Sequence, residues 1–212
     1  MWRCLAGIAM AVLFAWTLAA RAQGVDPGPI RVGDRWSYDV KDDATGDLRH
    51  SVTFVVVEVT DKEITARLTM KGKDRPRTFV FDPDWGRIDD SVWRYRPSDI
   101  GIRKPLQIGK EWRIDANASN MQNGAALRVS GVAKVAGKEQ VTTPTGTFDT
   151  FRVEAKLRQV DSKDQTKSFS VAQWFWYAPD VNRWVKKKVE VRSEGRLRDS
   201  FSEELTEYSR KP

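Results

Sequence analysis

A single histidine, His50, and a single cysteine, Cys4, are all that this chain offers for thiol or imidazole chemistry. Cysteine–histidine catalysis needs both in one site, and a serine nucleophile needs a histidine base held by a third group. Cys4 opens an apolar N-terminal run, and His50 stands between Arg49 and Ser51 just ahead of a β-branched stretch. A solvated turn residue is the role expected of it. Zinc centres built from His and Cys fail on count alone. Asp42, Asp43 and Asp47 crowd a short segment around Gly46, but the closing acid of a calcium loop is missing. They are read as turn residues, as are Asp89 and Asp90. Nothing singles out a glycosidase-type pair among 29 acidic residues. These readings predict a protein that is not an enzyme, with no catalytic residue, no metal site and no cofactor.

Basic and aromatic residues are the other candidates. Lys186, Lys187 and Lys188 lie inside a strand pattern. Lys186 and Lys188 share a parity with Trp184 and Glu190, and Lys187 has the opposite one. Charges are interspersed along the chain, which argues against a nucleic-acid surface. The aromatic set rises above background: Trp36, Tyr38, Trp112, Trp174, Trp176 and Trp184, with Tyr177 beside them, gather at strand starts and in one long strand. Two roles suit them. They can line the concave face of a curled sheet and hold an apolar or sugar ligand, or they can be core.

The elements that would position them are strands. Trp36, Tyr38 and Val40 alternate with Arg35, Ser37 and Asp39. Ile64, Ala66, Leu68 and Met70 repeat the pattern. So do Trp112, Ile114 and Ala116, then Phe151, Val153, Ala155 and Leu157, and then Phe169, Val171, Gln173, Phe175 and Tyr177. Period-two alternation of apolar residues marks half-buried strands. Leu197, Phe201, Leu205 and Tyr208 suit a helix face by spacing, but the turn Ser193-Glu194-Gly195 ahead of them favours a final hairpin strand over a terminal helix. Strands joined by turns without helices between them make antiparallel sheets.

Two segments look alike. Pro29-Ile30-Arg31-Val32-Gly33-Asp34-Arg35-Trp36 matches Pro105-Leu106-Gln107-Ile108-Gly109-Lys110-Glu111-Trp112, and Phe81 to Arg87 resembles Tyr177 to Arg183. The chain therefore reads as two related β-units, 23–104 and 105–212, forming one continuous domain. Ahead of them, Arg3, the apolar run Cys4–Ala20 and the exit Ala20-Arg21-Ala22 have the three parts of a secretory signal cleaved after Ala22. Of 212 residues, 190 remain after cleavage, with 34 basic and 29 acidic side chains and no cysteine. No later apolar run approaches membrane length, and the longest is Phe54-Val55-Val56-Val57. The expected location is the periplasm.

The segment Thr143-Pro144-Thr145-Gly146-Thr147-Phe148, continuing through Phe151-Arg152-Val153-Glu154, resembles a strand shared by a group of uncharacterised bacterial periplasmic proteins. Their second motif is matched by Trp176-Tyr177-Ala178-Pro179-Asp180-Val181-Asn182-Arg183-Trp184-Val185-Lys186, with Asn182 where Gly is commoner, and Gly109-Lys110-Glu111-Trp112 fits upstream. The resemblance covers about residues 105–208. It implies an antiparallel sheet curled into an open half-barrel, similar to the carriers that shuttle lipoproteins across the periplasm, with no known catalytic residue. The expected function is a non-enzymatic binding or carrier module for a lipid or other amphiphile, with the six aromatics as its site. The alternative is a structural β-domain that pairs with an envelope protein.

Overall fold

Trp36, Tyr38 and Val40 are buried and their polar neighbours lie outward, and this alternation recurs along most of the described strands. The computed structural model describes residues 28–211, so the expected signal and its cleavage point lie outside the described residues. Twelve strands occur among the described residues: β1 (Arg35–Asp42), β2 (Leu48–Val59), β3 (Ile64–Met70), β4 (Arg77–Phe81), β5 (Arg87–Asp89), β6 (Trp93–Arg96), β7 (Glu111–Asn120), β8 (Ala126–Thr143), β9 (Gly146–Asp161), β10 (Ser168–Ala178), β11 (Arg183–Ser193) and β12 (Arg196–Ser209). Every strand pairs antiparallel with the next in sequence, and β12 returns to pair with β1.

That last pairing corrects the expected open half-barrel. It runs from Arg35 opposite Ser209 to Asp42 opposite Phe201, with a bulge between Ser37 and Tyr38. The residues 196–208 form a strand, and that strand satisfies the free N–H and C=O groups of β1, so the sheet has no edge left. Closure is reinforced where the first and last described segments meet. The buried Asp34 carboxylate accepts hydrogen bonds from the Arg31 and Lys211 backbone N–H groups at 3.0 and 2.7 Å.

The two look-alike segments make the same turn. Gly33 and Gly109 both have positive φ, 92° and 86°. Gly33 N–H donates to Val56 O at 2.8 Å and Val56 N–H to Asp34 O at 2.9 Å; Gly109 and Val135 exchange the corresponding bonds, through Lys110 O, at 2.8 and 2.9 Å.

The interior is unevenly filled. Most of the buried aromatic rings come from β1, β2, β4, β10 and β11, whereas β7 to β9 contribute Ala116, Ala118, Ala133 and Ala155 beside Ile114, Val129, Val135, Val153 and Leu157. Outward positions carry cross-strand ion pairs such as Arg128–Asp115 at 3.2 Å and Lys134–Glu111 at 3.1 Å. Exposed pairs of this kind add little stability, about 0–1 kcal/mol each. They also differ from the apolar outward band, about 25 Å tall, of a barrel that faces lipid. No helix among the described residues is long and apolar enough to cross a membrane.

Gly131 lets β8 follow the curvature. A Cβ there would collide with the Lys156 carbonyl oxygen of β9 and lie 2.9 Å from Leu157 Cα, both backbone atoms. Gly137, on the same strand, would meet nothing within 4 Å. Gly131→Ala should therefore lower unfolding stability by roughly 1–3 kcal/mol, while Gly137→Ala stays within about 0.5 kcal/mol of wild type or gains slightly. Urea unfolding of the two variants side by side checks this, and equal midpoints would contradict the close approach.

Candidate functional site

The second sequence motif builds a floor inside the barrel. β10 ends at Ala178, the 3-10 turn Pro179–Val181 follows, and Asn182 adopts the left-handed conformation at φ 53° before Arg183 opens β11. Proline fits the first turn position, and Asn tolerates left-handed backbone better than most residues. Val181 and Asn182 are buried, so their carbonyls need donors from the protein. Aromatic side chains supply them. Trp36 Nε1 donates to Val181 O at 3.1 Å, Trp85 Nε1 to Asn182 O at 2.8 Å, and the Tyr38 hydroxyl to Trp184 O at 2.8 Å. The Tyr177 hydroxyl donates to Asn182 Oδ1 at 2.7 Å.

Arg183 sits within this floor with none of its surface exposed. Its guanidinium carbon lies 4.2 Å from the Trp184 ring centre, 4.3 Å from Trp85, 4.5 Å from Phe54, 5.2 Å from Trp36 and 5.3 Å from Phe81. No acceptor among the described residues meets hydrogen-bond geometry with Nε, Nη1 or Nη2. Burial pulls its pKa below the usual arginine value, and the nearby Tyr38 and Glu203 oppose that shift. Tyr38 gives its own proton to Trp184 O. The rings offset part of the desolvation cost, since cation–π contacts are worth up to about 2 kcal/mol when dry.

A cavity of about 420 Å³ rises above the floor. Phe54, Phe81, Trp85 and Trp184 belong to both: they pack on the guanidinium and line the cavity. Leu68, Met70, Phe79, Val171, Phe175 and Val189 supply apolar wall. Two ionic clusters interrupt it, with His50, Gln159 and Gln173 as further polar lining. On one side Arg87 is fully engaged, with Asp90 at 2.8 Å, Asp99 at 3.1 Å and the Tyr95 hydroxyl at 2.9 Å. On the other, Lys187 pairs with Glu203 at 3.0 Å, and Glu203 also accepts the Trp184 Nε1 hydrogen at 3.2 Å.

The six aromatics named from sequence fall in three places. Trp184 lines the cavity. Trp36 and Tyr38 are buried and hold the floor from below. Trp112 donates to Ile100 O at 2.8 Å and so braces the loop behind the wall. Trp174 and Trp176 alternate with the inward Phe175 and face outward, where Lys188 and Lys186 lie over their rings at 5.7 and 5.6 Å. A bulge separates Trp184 from Lys186 on β11, so Trp184 turns inward although its parity matches the outward lysines. His50, expected in a turn, lies on β2 opposite Val40 and lines the cavity. Asp42 does act as a turn residue, accepting from the Ala44 and Thr45 N–H groups. Sequence reasoning did not single out Phe54, Phe81, Trp85, Arg183, Lys187 or Glu203 for this site. Only the parity of Lys187, opposite to that of its two lysine neighbours, was there to be read. Among the described residues no group of three or more His, Cys, Asp or Glu side chains is placed to hold a metal.

No protein-family model and no curated protein matches the chain. Solved structures do. A "putative lipoprotein" from Parabacteroides distasonis superposes with a TM-score of 0.55 at 16% identity, covering 86% of this chain and 98% of its own. A "putative exported protein with YmcC-like fold" from Bacteroides fragilis gives the same four values. The hypothetical lipoprotein YmcC from Escherichia coli is more distant, at a TM-score of 0.49 and 9% identity over 83% of this chain and 85% of its own. At such identities the likeness to the first two is one of fold.

The buried phenols of the floor and wall make the fold sensitive to alkali. Burial pushes the Tyr38 and Tyr177 pKa values far above the usual 10, and it pushes Tyr95 up to about 12. A folded-state pKa raised above the unfolded one gives stability that is complete below pH 10 and is lost as pH climbs through the folded value. Phenolate absorbance should therefore show these tyrosines ionising only together with loss of β-sheet circular dichroism, above about pH 11. Their ionisation near pH 10 in a still-folded barrel would contradict this packing.

Proposed function

We propose that this chain is an exported, non-enzymatic binding or carrier protein of the cell envelope that takes one hydrophobic or amphiphilic molecule into its barrel. The observation that carries this is the cavity above the aromatic floor. Its volume of about 420 Å³ falls in the range of small-molecule sites, about 300–1,000 Å³. Its lining is mostly apolar with a few charged groups at defined places, the pattern such sites share. An acyl chain entering it would gain roughly 25 cal/mol per Å² of apolar surface removed from water, before ordering costs.

The exported setting rests on the N-terminal signal pattern and agrees with the exported or lipoprotein descriptions of the two fold neighbours. The alternative, a structural domain that pairs through a sheet edge or through its wet face, loses the first of these routes because β1 is already paired with β12. The non-enzymatic reading is supported by what the polar cavity groups do. Arg87, Asp90 and Asp99 bind one another, and Lys187 is held by Glu203.

A neutral probe tests the chamber by itself. Delipidated protein titrated with 1-decanol in a calorimeter should show saturable binding of one molecule per chain. Val189→Trp, which fills the wall, should weaken binding at least about tenfold while the variant keeps a cooperative thermal transition. Non-saturable uptake by folded wild-type protein, of decanol and decanoate alike, would overturn the proposal.

A further inference from the structure

Resting on that reading, we propose that the occupant is an anionic single-chain amphiphile of the fatty-acid type, its carboxylate held by Lys187 above the buried Arg183 and its chain running away along the apolar wall.

Charge balance carries the inference. Three cations line the cavity, Arg77, Arg87 and Lys187, and three acids answer them, Asp90, Asp99 and Glu203. Asp90 and Asp99 are committed to Arg87, and Arg77 donates to Asp90 O at 2.8 Å. Arg183 lies directly beneath, behind four rings of the lining, and adds a positive charge with no carboxylate of its own. Glu203 is thus the one acid that serves both Lys187 and Arg183. A cluster of two cations and one anion removed from water is short by a single negative charge, and an uncompensated buried ion costs several kcal/mol. A monoanionic ligand supplies the missing charge, a neutral one leaves the deficit, and a cationic one worsens it.

Donor geometry gives the head group its place. An ammonium has three hydrogens, and Glu203 takes one from Lys187. The side chains of Lys187 and Glu203 are 18% and 14% exposed, so solvent meets only part of the remainder. Gln173, opposite Val189 on β10, lines the same wall and adds a neutral donor. Arg87 offers no comparable place, because two carboxylates and a phenol already surround it. The head therefore lies at the floor end. Val171, Val189, Leu68 and Met70 are left for the chain, which extends toward His50 and Val191 at the other end of the strands.

The test is a chain-matched ligand series: decanoate, 1-decanol and decyltrimethylammonium, titrated calorimetrically at 0.15 M salt into wild type, Arg183→Met and Lys187→Met. Wild type should bind decanoate at least about tenfold more tightly than decanol and should not bind the cation. Both variants should lose the preference for decanoate, binding it no more than about twofold more tightly than they bind decanol. Arg183→Met should unfold in urea at the wild-type midpoint or above it, because an unpartnered buried charge has been removed. If that variant fails to fold, the wild-type series and Lys187→Met decide. Equal binding of decanoate and decanol by wild type would overturn the charge assignment and leave the chamber standing. Binding of none of the three would overturn both.

Discussion

A guanidinium sealed among aromatic rings, with no acceptor among the described residues in hydrogen-bond geometry, is the constraint around which this barrel is arranged. Arg183 has lost all its water and is met by rings instead. Those rings come from β1, β2, β4, the loop after β4, and β11 itself. A buried charge of this kind is tolerated only when its surroundings are fixed, since any gap would let water or strain decide the local structure. The aromatic residues meet that demand twice. Their faces cover the cation, and their polar edges satisfy the carbonyls of the turn that carries it: Trp36 to Val181, Trp85 to Asn182 and Tyr38 to Trp184. The upper surface of the same ring cluster is the cavity floor, so the structural device and the proposed binding site share side chains.

Closure of the sheet makes the arrangement durable. With β12 paired to β1, the strands carrying Tyr38 and Trp184 are fixed relative to each other through Leu205 and Glu203 of β12. Glu203 also reaches across to Lys187 and to the Trp184 indole. The strand that closes the barrel therefore also brings the acid that partly balances the cavity. An apolar wall, paired outer charges and the proposed electropositive base coexist because strand alternation separates inward from outward residues at every second position.

Much of this was legible in the sequence. The alternating runs Trp36-Tyr38-Val40, Ile64-Ala66-Leu68-Met70 and Val171-Gln173-Phe175 correctly marked inward faces, because a period of two has one physical meaning in a half-buried strand. The same parity set Lys187 apart from Lys186 and Lys188, but with Trp184 assigned to the concave face it did not mark Lys187 as the inward one. Trp174 and Trp176 were chosen for residue type although they alternate with Phe175, and parity governed their position. Trp184 escaped parity because a bulge intervenes, and nothing in the local residues announces it. Closure escaped as well, since β1 and β12 lie at opposite ends of the chain and no short pattern encodes their register. Arg183 stood in a recognisable motif, but apart from Trp184 the rings around it come from β1, β2 and the end of β4 with its following loop, all far away in sequence. The matching turns at Gly33 and Gly109 were visible in sequence because both depend on a glycine at positive φ.

The central claim is that the cavity base is electropositive rather than merely apolar, and one spectrum addresses it. Octanoate labelled with carbon-13 at the carboxyl carbon, bound to the wild-type protein, can be titrated with acid by nuclear magnetic resonance. A carboxylate held by Lys187 over Arg183 should stay ionised well below the free acid's titration, its pKa lowered by opposite charge. A bound carboxyl whose pKa is instead raised above that of free octanoate, as burial alone would produce, would contradict the account.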